Sequence, residues 1–486
     1  MRRAPTGCRS RPEGRALDRS AVADKRDTAR RSACQRARFG PRRGGAGPTS
    51  PEGGCAPPMS ELETRTIRRV SRRLIPFLIV CYFVAYLDRV NVGFASLTMN
   101  RDLGISATAY GLGAGLFFLT YFIFEVPSNL FLERFGARRW IARIMLSWGL
   151  ISGGMAFVGG ETSFYIMRLL LGAAEAGFFP GIIFYLTLWF PAAYRARIVS
   201  AFMVAIPLSS LIGAPVSGAL LELDGLLGFK GWQWLYIIEA VPAIVLSVAT
   251  FLYLTDRPSE ARWLPADERA WLEARMREEA ARGPTAHRPL TREIFDPRVI
   301  AIAFIYFGAV ALLYAFGFFL PQIVKAFGLS NLQTGFVTLI PYIAGTVGMI
   351  WWGRRSDARR ERHFHLVAAL ACASLGTIGA ALVTDPVLKM VLFSGAAFGI
   401  FAALPVVWTL PTEALSGAAA AGAIAVVNSI GNLSGFVAPY VVGAIKDRTG
   451  DFTGGLLVIS AAGLVGILLV LWLRNARARH AVPAAE

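Results

Sequence analysis

Residues 74–97 read LIPFLIVCYFVAYLDRVNVGFASL, an apolar stretch whose only charged residues are Asp88 and Arg89. A bilayer core about 30 Å thick needs about twenty apolar residues per helical crossing, so this stretch is long enough to span it. At about 1.5 Å per residue, Asp88 and Arg89 lie roughly 20 Å along the helix from Leu74. The stretch therefore predicts a transmembrane helix with two charges deep inside the membrane.

Apolar stretches of similar length recur along a chain that is 55% hydrophobic and only 17% charged. This composition is too apolar for a soluble domain. It predicts an all-α membrane protein with twelve transmembrane helices in two pseudo-symmetric six-helix bundles. The expected spans are 74–97, 110–132, 140–159, 164–189, 198–221, 234–254, 299–320, 334–352, 366–384, 388–410, 421–445 and 456–473.

The central segment, residues 255–296, separates the two sets of spans and is charged. Within it, DERAWLEARMREEAA (267–281) places Trp271, Leu272 and Met276 at the spacing of a short amphipathic helix. We expect a cytoplasmic linker here, between an N-terminal bundle (59–254) and a C-terminal bundle (297–474), with a cytoplasmic tail at 475–486.

Basic residues gather in the loops after the second, fourth and eighth spans, whereas loops on the other side, such as 160–163, are short and poor in bases. Cytoplasmic loops carry the excess of Lys and Arg. Both termini are therefore expected in the cytoplasm. The arginines concerned are Arg134, Arg138, Arg139, Arg143, Arg195, Arg197, Arg354, Arg355, Arg359, Arg360 and Arg362.

Two of these basic loops resemble each other, ERFGARR (133–139) after the second span and GRRSDARR (353–360) after the eighth. An acid beside bases at a helix end can cap a neighbouring helix and lock two spans together. Ordinary basic loops are the alternative, but the duplication favours a structural or gating role. The candidates are Glu133, Arg134, Gly136, Arg138, Arg139, Gly353 and Asp357.

Residues 1–58 are rich in Arg, Gly and Pro and hold thirteen Arg and Lys25 against five acids, a net charge of 14 − 5 = +9. No apolar run precedes Met59, where an ordinary cytoplasmic lead-in begins. We expect a basic, disordered tail whose assignment as coding sequence is an error, with translation starting at Met59. The alternatives are a basic arm that binds anionic lipid or nucleic acid, or a targeting peptide.

Four motifs carry a resemblance to a known family: YLDRVNVGFA (86–95), YFIFEVPSNLFLERFGARRW (121–140), RLLLGAAEAGFFPG (168–181) and WQWLYIIEAVPA (232–243). With the duplicated basic loop, they resemble the anion:cation symporter branch of the major facilitator superfamily, from Met59 to about residue 479. Asn129 replaces the usual glycine of the superfamily loop, as in this branch, and Glu133 replaces the usual aspartate.

The resemblance implies proton-coupled uptake of a small organic anion across a bacterial plasma (inner) membrane. Bacterial members of the branch are permeases for tartrate, sugar acids, phthalate and hydroxyphenylacetate. Protons are then the coupling ion. The expected partners are a small organic anion, protons and the lipid bilayer, and the protein is expected to be a monomer that binds no nucleic acid.

Ionisable groups inside a membrane cost at least about 2.5–3.5 kcal/mol each on insertion scales, so each is a functional candidate. Arg89 is assigned to the substrate carboxylate, because a guanidinium is a rigid bidentate donor that stays charged. An Asp88–Arg89 or Arg89–Glu175 ion pair that braces the bundle is the alternative. Arg168 and Glu175, two helical turns apart, share a face that should border the cavity.

The proton must be carried by carboxyl groups, because none of the histidines falls in mid-membrane. Asp88 and Glu175 are the predicted proton carriers. Family likeness gives Arg168 a coupling role with Glu175, whereas its shallow depth would also suit a gate salt bridge. Glu125, Glu239 and Glu413 lie near helix ends beside prolines, which favours structural roles.

Hydrogen-bonding side chains for the substrate are expected from both bundles. Tyr86 and Tyr121 lie near the depth of Arg89, although aromatic residues also fill helix interfaces. Asn428 and Asn432 lie one turn apart, and amides exposed to lipid are costly. The asparagines are therefore the stronger candidates.

Other function classes lack their motifs. The sequence has no Gly-Lys-Ser/Thr phosphate loop for an ATP-driven pump, no Ser-His-Asp arrangement and no metal-ligand spacing. An enzyme, a metal site and an organic cofactor are therefore not expected. The remaining rival is an exporter or anion exchanger of the same superfamily.

The start at Met59 is directly testable. Mass spectrometry of the native protein should find the amino-terminal peptide beginning at or just after Met59. Peptides from residues 1–58 would contradict this prediction.

Overall fold

The computed structural model describes residues 61–281, 296–410 and 418–481. The predicted tail at 1–58, residues 482–486 and Glu413 lie outside these ranges. The α-helices are α1 (Glu61–Leu103), α2 (Ala107–Phe135), α3 (Ala137–Gly154), α4 (Glu161–Glu175), α5 (Phe178–Trp189), α6 (Ala192–Met203), α7 (Ala205–Leu220), α8 (Gly231–Tyr253), α9 (Ala266–Ala281), α10 (Pro297–Lys325), α11 (Asn331–Arg359), α12 (His363–Leu382), α13 (Pro386–Val407), α14 (Ala418–Thr449) and α15 (Thr453–Ala481).

The predicted all-α membrane fold is confirmed. Eleven stretches of the described residues are long and apolar enough to cross a membrane. The remaining predicted span, 421–445, lies within α14. Two predicted single spans are divided in the structure, 164–189 into α4 and α5 and 198–221 into α6 and α7.

The helices form two groups, one before and one after the linker helix α9 in the chain. In the first group α3 packs on α8 and α2 packs on α4, and in the second α10 packs on α15 and α11 packs on α13. The groups meet along two extensive helix pairs, α2 with α14 and α7 with α11. We call the membrane side of the arginine-rich loops the basic face and the other side the opposite face.

The basic loop of the first bundle is held by an acid that the sequence motif did not single out. Gly136 has a φ of +88°, which favours glycine. Asp256, just beyond α8, accepts a 2.7 Å hydrogen bond from the Arg138 N–H at the start of α3. Asp256 therefore caps α3, whereas Glu133, the acid of the predicted motif, is exposed, as are Arg134 and Arg139.

The corresponding loop of the second bundle uses a different pair of acids. Asp357 pairs with Arg362 at 2.6 Å. Glu361 accepts hydrogen bonds from the N–H groups of Phe364 and His365 and caps α12. Gly353 lies against Pro405 of α13.

The linker helix α9 is attached to the basic face of the first bundle. Glu268 forms ion pairs with Arg65 at 2.8 Å and Arg69 at 3.1 Å, both on α1. Glu279 pairs with Arg195 of α6 at 2.7 Å. The predicted amphipathic helix is present, with Leu272 buried.

Close backbone approaches join the two bundles near the opposite face. A Cβ atom at Gly111 of α2 would collide with the Pro439 carbonyl of α14, and one at Gly443 would collide with the Ala107 carbonyl. Between α7 and α11, a Cβ at Gly218 would lie 2.7 Å from the Asn331 carbonyl. Small residues let these helices touch along their backbones.

Two carboxylates cap helices across this junction in a pseudo-symmetric way. Asp447 of α14 accepts hydrogen bonds from Ala107 N at 3.1 Å and Thr108 N at 2.7 Å, at the start of α2. Glu222, after α7, accepts one from Leu332 N at 3.1 Å, at the start of α11. Each cap pairs an anion with a helix N-terminus, where the unpaired N–H groups favour negative charge.

Asp447 lies beyond the apolar part of α14, near its end. Partial burial opposes ionisation, but hydrogen bonds from Thr108 and Ala107 outweigh it and hold the pKa of Asp447 below its usual value. A depressed pKa means that the cap stabilises the closed junction at higher pH and that this stabilisation is lost as the pH falls through the lowered pKa.

We expect Asp447→Asn combined with Glu222→Gln to open the opposite face more often. Losing about 1 kcal/mol of charge-assisted hydrogen bonding changes a two-state equilibrium about fivefold. A cysteine introduced at Ser96, which is buried beneath this junction, should react correspondingly faster with a membrane-impermeant thiol reagent.

The matched control is Asp451→Asn, because Asp451 caps Thr453 of its own bundle. It should leave the labelling rate unchanged. Equal rates in the double variant and the parent would show that the caps do not hold the junction.

Candidate functional site

A helix break in mid-membrane positions the first acid of the site. α4 ends at Glu175, and Gly177 adopts a φ of +85° before α5 begins at Phe178. A Cβ at Gly177 would collide with Ser128 of α2. Only glycine fits this conformation and this close approach, so the sequence EAG forces the break and leaves Glu175 at the end of a half-helix.

Arg89 of α1 lies opposite this break, and its Nη2 donates to Glu175 Oε1. Its Nη1 lies 3.5 Å from the Tyr314 hydroxyl of α10. The guanidinium also lies over the rings of Phe117 and Tyr121, with centroid distances of 5.2 and 5.1 Å. The ion pair that the sequence left as an alternative is thus present, with Arg89 8% and Glu175 1% exposed.

A cavity of about 540 Å³, including the part open to solvent, lies between the two bundles beside this ion pair. All five predicted substrate-binding residues line it: Tyr86, Arg89, Tyr121, Asn428 and Asn432. Among the residues that the structure describes, Arg89 is the one cationic side chain in this lining. The remaining lining residues are Tyr82, Phe179, Met203, Ile206, Tyr306, Val310, Leu313, Tyr314, Leu404 and Trp408.

A further acid, Glu125, lies beside the cavity. Its Oε1 accepts a 2.8 Å hydrogen bond from Asn428 Nδ2, across the two bundles. The sequence favoured a structural role because Glu125 lies near Pro127. Its position one turn from Tyr121 was the signal that could have placed it beside the cavity.

Asp88 points away from the cavity despite its adjacency to Arg89. Its carboxylate accepts hydrogen bonds from Trp148 at 2.5 Å, Ser152 at 2.7 Å and Asn91 at 3.1 Å. Consecutive helical residues point about 100° apart, which explains why the two charges face different surroundings. Asp88 therefore forms no ion pair with Arg89.

Arg168 shares a face of α4 with Glu175, as expected, but it is not among the described residues that line the cavity, so the expectation that it borders the cavity is wrong. Its side chain is fully buried and donates to the backbone carbonyls of Gly113 at 3.3 Å and Ala114 at 3.1 Å on α2. Arg168 lies on the side of α4 that packs closely on α2, where a Cβ at Gly172 would collide with the Phe117 carbonyl. In this conformation it braces the two helices.

The predicted gate residues lie on the basic face, away from this cavity. No cluster of three His, Cys, Asp or Glu that could hold a metal ion occurs within the described ranges.

Comparison with known proteins shows which family carries this arrangement. The sequence pattern of the Major Facilitator Superfamily matches residues 78–439, and a second match covers 302–486. This chain belongs to the Major Facilitator Superfamily. The relatives that this chain resembles are transporters and not enzymes.

Two superfamily relatives align over nearly their whole length. A protein of Agrobacterium vitis named "Putative tartrate transporter" is 52% identical over 413 residues, covering 85% of this chain and 95% of the relative. A "Quinolone resistance transporter" of Acinetobacter baumannii is 42% identical over 411 residues, covering 84% and 95%.

A solved superfamily structure shares the fold. The xylose transporter XylE of E. coli, in a partially occluded inward open conformation, superposes with a TM-score of 0.66 at 12% identity, covering 82% of this chain and 97% of XylE. The predicted arrangement of twelve spans in two bundles is therefore confirmed for the present chain.

Gly177→Ala should destabilise the fold of this transporter. A left-handed conformation costs a non-glycine residue about 1–2 kcal/mol, before the collision with Ser128 is added. We expect a lower thermal unfolding midpoint in detergent. Gly395→Ala is the control, because a Cβ there meets open space; equal midpoints for the two variants would contradict the role assigned to Gly177.

Proposed function

We propose that this protein imports a small organic anion, a hydroxy acid such as tartrate in the first place, together with protons. The observation that carries the proposal is the position of Arg89, a single guanidinium in the lining of a cavity between two bundles. Fixed hydrogen-bonding groups surround it, and the tartrate-transporter relative covers 85% of the chain.

Arg89 can bind a substrate carboxylate, but only if that carboxylate replaces the anion that already pairs with Arg89. In this conformation Glu175 occupies its Nη2. A substrate carboxylate can take this place when Glu175 is neutralised by a proton, so the buried guanidinium is never left without an anion. Because Glu175 and the substrate carboxylate compete for the same guanidinium, protonation of Glu175 is coupled to binding of the anion.

The rest of the cavity fits a hydroxylated acid. Tyr86 and Tyr121 supply hydroxyl groups from the first bundle, and Asn428 and Asn432 supply amides from the second. These groups can donate to or accept from substrate hydroxyls. Because the partners come from both bundles, a bound substrate would draw the bundles together around itself.

Transport then follows by alternating access, in which the bundles rock about the cavity without covalent chemistry. The junction at the opposite face is closed here by backbone contacts and by the Asp447 and Glu222 caps. Opening that face requires these contacts to break. We propose Asp88 as a second proton carrier behind Glu175 and place the basic face in the cytoplasm of a bacterium.

Export is the second candidate, and one comparison favours it: the quinolone resistance transporter is 42% identical to this chain. The apolar part of the lining, including Phe179 and Trp408, could contact an aromatic drug. The two functions differ in the direction of substrate movement: an importer moves the substrate in the same direction as the protons, and an exporter moves it in the opposite direction.

Reconstitution in proteoliposomes tests the proposal. Uptake of labelled tartrate should follow an imposed inward proton gradient and collapse with an uncoupler. Proton-driven extrusion of a quinolone, with no tartrate accumulation, would instead establish the export function.

Variants locate the two roles. Arg89→Ala and Arg89→Lys should both lose anion binding in a thermal-shift assay, because lysine lacks the bidentate fork. Glu175→Gln should keep anion exchange but lose proton-driven accumulation. The exposed Arg262→Ala is the control, and accumulation at the parent level by Glu175→Gln would exclude its coupling role.

A further inference from the structure

A second group of buried acids lies behind α1, on the side away from the cavity. Asp88 of α1 is 2% exposed and Glu239 of α8 is 3% exposed. Asn91, one turn after Asp88, donates to Asp88 and also interacts with Glu239. Two carboxyl groups on different helices are thus linked through one amide in the interior of the first bundle.

The two acids differ in how many donors they receive. Asp88 accepts three hydrogen bonds, from Trp148, Ser152 and Asn91, which suits an ionised carboxylate. Glu239 accepts a 2.7 Å hydrogen bond on Oε1 from Ser217 of α7. Its Oε2 is buried without a hydrogen-bond partner among the described residues.

The Asn91 amide oxygen is also buried and lacks a partner among the described residues. A buried polar atom without a partner destabilises a protein, and an unpaired buried charge does so more strongly. A proton on Glu239 removes the second of these penalties. The protonated carboxyl group of Glu239 can also donate a hydrogen bond, and the Asn91 amide oxygen is a nearby acceptor that lacks a donor among the described residues.

No cation in the described ranges forms an ion pair with either acid. Arg89 pairs with Glu175, and Arg168 donates to carbonyls of α2. Two neighbouring carboxylates cannot both stay ionised in such surroundings without a compensating charge. The titratable groups around the pair are Glu175 near Asp88, and Tyr236, which itself interacts with Arg168 and Tyr110.

We infer that Glu239 is a proton-binding site, with Asp88 as its ionised partner in this conformation and Asn91 and Ser217 as the positioning residues. At about 1.5 Å per residue, Glu239 lies about 12 Å below the start of α8 at the opposite face. A proton held there lies in the interior of the first bundle and outside the lining of the anion cavity.

The role of this site in coupling rests on the proposed proton-driven uptake. Asp88 interacts both with Glu239 and with Glu175, the acid that pairs with Arg89. The bound proton would therefore influence Glu175 through Asp88. The protonation of Glu239 itself does not depend on the proposed function.

Infrared difference spectroscopy of the purified protein, without substrate or gradient, tests the site. The carbonyl stretch of a protonated carboxylic acid should be present near neutral pH and lost in Glu239→Gln. Ser217→Ala should retain this band at a shifted frequency, because Glu239 loses its donor. The exposed Glu260→Gln is the control and should leave the band unchanged.

A band that persists unchanged in both Glu239→Gln and Ser217→Ala would overturn the assignment. If Glu239→Gln does not fold, the shift in Ser217→Ala decides alone. In proteoliposomes, Glu239→Gln should bind tartrate but lose the dependence of uptake on the outside pH. An assigned band in a protein that fails to couple protons to tartrate would support the site and contradict the proposed function.

Discussion

The rest of the structure depends on keeping one buried guanidinium neutralised. Arg89 lies in an apolar interior where removing the partner of a buried ion pair costs about 3–5 kcal/mol, and Glu175 is the partner it has here. This cost forbids a conformation in which Arg89 faces the cavity without an anion. In the function that we propose, the substrate and Glu175 are therefore alternative partners of Arg89, and a proton on Glu175 decides between them.

The surrounding architecture serves this constraint. The glycine break after Glu175 ends a half-helix at the depth of Arg89, and the aromatic rings of Phe117 and Tyr121 hold the guanidinium in place. The cavity opens between bundles that touch through glycine-lined helix pairs near the opposite face. In the alternating access that we propose, these backbone contacts and the two carboxylate caps separate when the bundles rock.

The spans and the five cavity residues could be predicted from sequence because membrane crossings need long apolar runs and intramembrane polar groups need a reason to persist. The direction in which each side chain points could not be predicted from the sequence. Asp88 and Arg89 are adjacent yet face different surroundings, and Arg168 lies on the side of α4 that packs on the α2 backbone. Asp256 was missed because it lies far in sequence from the loop it caps, and Glu125 and Glu239 were set aside because nearby prolines suggested helix ends.

The exchange of Glu175 for a substrate carboxylate is tested most directly by counting protons when the anion binds. Purified protein in weakly buffered detergent solution should take up protons as tartrate is added, and Glu175→Gln should bind tartrate with a smaller uptake. Tartrate binding with no proton uptake by the parent protein would contradict the account.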